Sequence, residues 1–172
     1  DDGVDGLIVL GTCGENNSLE ADEKLAVLKG AVEAVGNRVP LVAGVSEFTT
    51  DRAVRYAQAA EAIGIDALML LPAMVYVPNL DELYTHFRTV AEATSLPIML
   101  YNNPPAYRVN VDFDTLARLE EVPNIVAIKE SAPDPRRFTD LYNQFGDRYT
   151  LMAGLDDVAL EGLMLGASGW VS

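Results

Sequence analysis

Short apolar runs recur along this chain at a nearly constant interval, each separated from the next by an amphipathic segment. The runs are Leu7–Leu10, Val39–Ala43, Ala67–Leu71, Pro97–Tyr101, Ile125–Lys129, Tyr149–Ala153 and Gly169–Val171. They are continuous rather than alternating in hydrophobicity, the pattern of strands buried on both faces of a parallel sheet. The intervening segments, such as ADEKLAVLKGAVEAVG and LDELYTHFRTVAEAT, place apolar residues at helical spacing. Ser18 and Asp51 read as helix starts, and Gly36, Gly64 and Gly146 as helix stops. The first five runs end near residues 10, 43, 71, 101 and 129, so one unit recurs every 28 to 33 residues. Such βα units predict an α/β chain, a (β/α)8 TIM barrel, over a doubly wound open sheet. Residues 1–172 read as a single incomplete (β/α) barrel domain lacking the first strand and the C-terminal helices. The open sheet usually carries a Gly-rich phosphate loop after its first strand, and GTCGEN is not G-x-G-x-x-G.

Charge and composition narrow the function. The net charge is −14, from 26 acidic and 12 basic residues. That surface repels nucleic acid and anionic lipid, so neither is expected as a partner. No apolar run approaches the ~20 residues that span a bilayer. Cys13 is the only cysteine, which rules out an internal disulfide and makes a cytoplasmic location the expectation. His86 is the only histidine and falls in a helical segment, away from Cys13, so no base for a thiol nucleophile is apparent. Asp156 and Asp157 open a helical segment, where acids serve as N-caps, and no metal or other cofactor is expected.

Reactive groups in such folds sit at the C-terminal ends of strands. Three lysines occur. Lys24 and Lys29 fall in a charged helical segment and read as solvated. Lys129 ends the apolar run Ile125–Lys129. Apolar walls favour the neutral amine, which can add to a carbonyl and form an iminium. The alternative is a strand-end lysine paired with Glu130. Tyr101 ends the preceding strand, where a phenol can shuttle protons. Thr12 and Cys13 lie between Gly11 and Gly14, whose backbone could hold a carboxylate. Asn103, in the Asn102–Pro105 turn, and Tyr76, Met74 and Val75 after the third strand, read as candidate pocket residues.

Together, GTCGE, YNNPP, IKE and AGLDD…GASGWVS resemble the dihydrodipicolinate synthase / N-acetylneuraminate lyase family over essentially the whole chain. The resemblance implies a (β/α)8 barrel, a homotetramer when full length, and Schiff-base chemistry without a cofactor on a 2-oxo acid or imine. It makes Lys129 the Schiff-base lysine and Tyr101 the catalytic tyrosine. It makes Gly11 to Glu15 the carboxylate loop, with Thr12 catalytic and Cys13 substrate-binding, and it puts Gly154 and Val171 in the lysine pocket. The departures are Cys13 for the loop's second threonine, Ala106 where the synthases carry an arginine, and no Tyr-Tyr pair after Pro72, where Tyr76 is a shifted substitute. Arg108 is displaced from the arginine position by two residues. These departures point to the catabolic branch, in the manner of a 1-pyrroline-4-hydroxy-2-carboxylate deaminase. The alternatives are 4-hydroxy-tetrahydrodipicolinate synthase or a pyruvate aldolase, and, outside enzymes, a small-molecule sensor or an inactive fragment.

Overall fold

The computed structural model describes residues 3–73 and 75–172. Seven strands lie parallel in sequence order, β1 Leu7–Val9, β2 Leu41–Val45, β3 Ala67–Leu70, β4 Ile98–Asn102, β5 Ile125–Glu130, β6 Thr150–Ala153 and β7 Gly169–Trp170. The helices between them are α1 Ala21–Val35, α2 Thr50–Ile63, α3 Leu80–Glu92, the short α4 Pro104–Tyr107, α5 Phe113–Leu119, α6 Arg136–Phe145 and α7 Ala159–Met164. The strands curl into a half-barrel. A parallel pair needs a crossover between its members, and each helix segment supplies one.

Helix stops fall where expected: Gly36 and Gly64 cap α1 and α2 in the left-handed conformation, and Gly146 ends α6. Two starts shift. Glu20, in a capping box with Glu23, begins α1 in place of Ser18, which lies in a 3-10 turn. Thr49 caps α2 through Arg52 N–H, and Asp51 sits in the first turn, where a carboxylate complements the helix dipole. Asp156 is not an N-cap; its Oδ1 accepts from Trp170 Nε1 at 3.2 Å.

Strand alternation splits the buried residues into two groups on opposite faces of the sheet. Outward, Leu41, Val45, Leu68, Leu70, Ile98, Leu100 and Ile128 pack against helix residues such as Leu28, Phe87, Leu116 and Phe138. A fully buried side chain of this size contributes about 1.5–3 kcal/mol, so this layer is the main source of stability. Inward, Met69, Leu71, Met99 and Tyr101 pack with Ile8, Val42, Ala127, Met152 and Val171, and an open cavity of about 860 Å³ is lined by Ile8, Val42, Met99, Ala127, Met152 and Val171 but not by Tyr101 or Lys129. No helix among the described residues is long and apolar enough to cross a membrane.

Candidate active site

Lys129 and Tyr101 are register partners across β4 and β5, and Lys129 is paired on its other side with Met152 of β6. Both side chains therefore share the inward face, at the C-terminal end of the sheet. Lys129 Nζ stands 4.2 Å from the centroid of the Tyr101 ring. The two residues are only 9% and 7% exposed. No carboxylate among the described residues forms an ion pair with Lys129.

The adjacent residues point the other way, and this removes the alternative role for Lys129. Glu130 is 1% exposed and lies on the outward face. Its carboxylate takes Arg137 Nε at 2.5 Å, Asn102 Nδ2 at 2.8 and 3.0 Å, and Ala132 N–H at 2.7 Å. Asn102 Oδ1 accepts from Val111 N–H at 2.9 Å, and Arg137 also donates to the Val111 carbonyl. This network ties the ends of β4 and β5 to the α5 and α6 segments.

Two glycines make room for the site. A Cβ on Gly154 would lie 2.2 Å from Ser131 Oγ and 2.8 Å from Lys129 Cε, so any side chain there would displace the lysine. A Cβ on Gly44 would lie 2.2 Å from the Leu10 carbonyl oxygen. Leu10, the residue after β1, crosses β2 there in a left-handed conformation, φ 55°, which a leucine adopts only under tertiary constraint. The constraint includes Asn16, fully buried, whose Nδ2 donates to the Gly44 carbonyl at 3.1 Å. The crossing launches the Gly11–Glu15 loop over the sheet end. Turn hydrogen bonds from Gly14 N to Gly11 O and Glu15 N to Thr12 O hold that loop.

Of the residues singled out in the sequence, the structure gathers Lys129, Tyr101, Asn103, Gly154, Val171 and Thr12. Asn103 caps α4 through Ala106 N–H at 3.2 Å and donates from Nδ2 to the Tyr101 hydroxyl oxygen at 3.0 Å. Val171 N–H donates to the Ala153 carbonyl at 2.8 Å, and its side chain joins the inward cluster. Cys13 is exposed on the loop. Tyr76 is not gathered: it is 61% exposed and donates to Glu82 Oε1 at 3.3 Å, at the start of α3. Met74 lies outside the described residues. Lys24 is not solvated; it is 6% exposed and pairs with Glu47 at 2.6 Å, whereas Lys29 is exposed.

Sequence reasoning missed Tyr107. The last residue of α4, it hydrogen-bonds through its hydroxyl to Thr12 Oγ1, and its ring meets Tyr101 edge-on at 5.6 Å and 84°. Burial pushes its phenol up to about 12, opposed by the Thr12 hydrogen bond and reinforced by Tyr101. The available signal was its place three residues past the Asn-Pro step, where a one-turn helix brings a side chain back over the strand end.

Fold and site together define a βα-repeat protein with a buried lysine and tyrosine on the inner face of its sheet, at the end where such folds carry their chemistry. The chain belongs to the Dihydrodipicolinate synthetase family, whose sequence profile matches residues 1–172. It is 42% identical over 172 residues to 4-hydroxy-tetrahydrodipicolinate synthase of Desulforudis audaxviator, covering 100% of this chain and 58% of that protein. The enzyme of the same name from Neisseria meningitidis serogroup B is 35% identical over 172 residues, with 100% of this chain and 59% of that protein covered. Among solved structures, the 4-hydroxy-tetrahydrodipicolinate synthase of Methylacidiphilum fumariolicum SolV superposes with a TM-score of 0.96 at 33% identity, covering 99% of this chain and 57% of that one. The chloride-inhibited dihydrodipicolinate synthase of Acinetobacter baumannii, solved with pyruvate, gives 0.95 at 34% identity, covering 99% and 58%. The chain thus spans a little under three-fifths of the length of these relatives.

Proposed function

We propose that this chain carries the Schiff-base site of a 2-oxo acid lyase, with Lys129 as nucleophile and Tyr101 as its acid–base partner. The observation that carries the reading is the register pairing of these two buried residues on the inner face, with Nζ over the phenol ring and no ion-pair partner for the lysine among the described residues. In this scheme the loop Gly11–Glu15 takes the substrate carboxylate on the backbone N–H groups of Thr12 and Cys13, those of Gly14 and Glu15 being held in turn hydrogen bonds. Carbon 2 then faces Lys129 Nζ, and Tyr101 gives the carbonyl oxygen its proton. The absence of a Cβ at Gly154 leaves the space that the Lys129 side chain occupies. The complete closed (β/α)8 barrel is part of the same proposal.

The test is incubation of the full chain with pyruvate and borohydride, followed by peptide mass mapping. The adduct is expected on Lys129 alone. Label on Lys24 or Lys29, or no label from a substrate that is turned over, overturns the mechanism.

For the reaction itself, the relatives favour condensation, since those compared above are named as synthases. The ring-opening deaminase reading, which led on sequence alone, rests on Cys13, Ala106 and the missing tyrosine pair, and none of the relatives compared above is named for that reaction. Arg108 caps α4 in the left-handed conformation and is exposed, so it stands at the surface, available to an incoming anion. Measuring kcat/KM for pyruvate plus aspartate semialdehyde and for 1-pyrroline-4-hydroxy-2-carboxylate on one preparation ranks the two. Condensation faster by tenfold or more retires the deaminase reading, and the reverse restores it.

A further inference from the structure

Resting on the reading of Lys129 as nucleophile and Tyr101 as its acid–base partner, we propose that Asn103 is a positioning residue: it fixes the direction of the Tyr101 phenol proton and steadies the phenolate left when that proton is given up. The turn after β4 puts it there. Asn103 stands two residues past Tyr101, so the period of two along a strand returns its side chain to the inward side. Pro104 disfavours helical backbone in the residue before it, and Asn103 keeps φ −144° and ψ 75°. Its amide is then used from both ends. The oxygen accepts from Ala106 N–H at 3.2 Å, and Nδ2 donates to the Tyr101 hydroxyl oxygen at 3.0 Å. A backbone N–H can only donate, so the cap decides which end of the amide faces the phenol. Serine or aspartate would cap α4 as well, but neither would bring an N–H to Tyr101.

The consequence falls on the phenol. Its proton lies in the ring plane, to one side of the oxygen or the other. Asn103 Nδ2 takes one side, so the proton keeps the other. The ring itself is held: Tyr101 is 7% exposed, Tyr107 meets it edge-on at 5.6 Å, and Lys129 Nζ lies over its face. In the addition step, the neutral amine of Lys129 gives its electron pair to carbon 2 and the carbonyl π electrons move to oxygen. That oxygen takes the Tyr101 proton, the phenolate takes one from the nitrogen cation, and a neutral carbinolamine results. In the second step the phenol protonates the same oxygen, the C–O bond breaks, water leaves, and the nitrogen electron pair closes the iminium. In both steps a phenolate stands where water is scarce, and a charge without a donor there is costly. Asn103 supplies a donor, and a hydrogen bond to a charged group is among the stronger ones. Asn103 touches no substrate atom in this scheme; it acts through Tyr101.

The experiment uses the full chain at saturating pyruvate, with borohydride quenching at timed intervals to give the rate of adduct formation on Lys129. Asn103→Ser and Asn103→Asp both keep an acceptor for Ala106 N–H, so each should unfold within a few degrees of the wild type. Serine cannot reach the phenol. Asn103→Ser is expected to reach the wild-type extent of labelling but roughly 10- to 100-fold more slowly, the scale of a lost hydrogen bond to a charged group. Aspartate turns a negative charge toward the phenol oxygen, so Asn103→Asp should be slower still, although it caps a helix as well as asparagine does. The double variant gives the readout that a capping role would not move: on a Tyr101→Phe background, Asn103→Ser should add no further slowing, as for a residue that acts through the phenol. Labelling of Asn103→Ser within twofold of the wild-type rate, or equal slowing by Asn103→Ser with and without the phenol, overturns the positioning role while the lysine reading stands. If Asn103→Ser does not fold, Asn103→Asp measured with and without the phenol decides in its place. Labelling of Tyr101→Phe at the wild-type rate removes the acid–base reading of Tyr101 and the role of Asn103 with it. A wild type that takes no label at Lys129 removes the lysine reading as well.

Discussion

The two faces of one sheet treat consecutive polar residues in opposite ways. On the outward face, Asn102 and Glu130 are saturated: every carboxylate oxygen of Glu130 has a donor, and Arg137 is only 11% exposed against it. On the inward face, one residue earlier in each strand, Tyr101 and Lys129 are nearly as buried but sparsely partnered. The period of two along a strand separates a polar group that is fully partnered from one that is not. A buried charge that is fully paired holds the fold in one arrangement. A buried amine without an ion pair is held ready for a ligand to complete.

The comparison breaks most directly at Lys129. Lys129→Ala should abolish borohydride labelling and lower kcat by a thousandfold or more, since the covalent step has no other nucleophile at hand. The thermal midpoint should stay close to that of the parent, because no ion pair among the described residues is lost. A variant that keeps a tenth of the parent kcat would show that the lysine is structural.

Glu130→Ala should do the reverse. It leaves Arg137 buried without its carboxylate, a change that costs about 3–5 kcal/mol. Urea unfolding of the full chain measures it. Replacing Glu130 and Arg137 together by methionine should recover most of the loss, since both charges then leave the interior. A loss under about 1 kcal/mol for Glu130→Ala would mean that the network contributes little and that the two faces do not differ as argued.

Gly154→Ala sharpens the boundary between the faces, because its Cβ would enter the inward side between Ser131 and Lys129. Overpacking of this kind costs about 1–3 kcal/mol. The rate of Schiff-base labelling should fall more than tenfold as Lys129 is displaced, while the midpoint of unfolding moves by a few degrees. An unchanged labelling rate would show that the lysine reaches the substrate by another path.

Much of this was legible in the sequence, and what was not has physical causes. The strands stood out because burial on both faces makes their hydrophobicity continuous, and the stop glycines because a left-handed cap has few other occupants. Lys129 and Tyr101 were visible because each ends such a run, and equal parity then puts them on one face. Lys24 was misread because its helix is charged throughout, and nothing local says that Glu47, beyond the end of β2, folds back to meet it. Tyr76 follows a strand as Tyr101 ends one, yet a loop residue has no parity to fix its direction. Tyr107 was missed for the converse reason. PPAY reads as a turn, and only the Asn103 cap, which winds Pro104–Tyr107 into a helical turn, returns its hydroxyl to Thr12.

The smallest expected effect lies on the outward side, at the only histidine. His86 is 4% exposed on α3, and its ring joins three elements: Nε2 lies 3.1 Å from the Leu71 carbonyl oxygen after β3, and Nδ1 lies 3.0 Å from Thr50 Oγ1 on α2. The carbonyl can only accept, so Nε2 carries the proton and Nδ1 accepts from the threonine in the neutral ring. Desolvation pulls the imidazole below its ordinary value near 6.5, against the Leu71 hydrogen bond, which raises it. The unfolded chain therefore takes up the proton first as pH falls. The stability held in the neutral ring is complete above about pH 7, and it declines as pH drops through 6.5 toward the folded value, with a slope of at most about 1.4 kcal/mol per pH unit for one proton. Unfolding free energies of the parent and of His86→Gln across pH 5.5 to 8 measure this. The parent should lose stability toward the acid end and the glutamine variant should be nearly flat over the same range, since carboxylates titrate mostly below it. Parallel curves for the two proteins would assign the acid loss to other groups and leave His86 as packing alone.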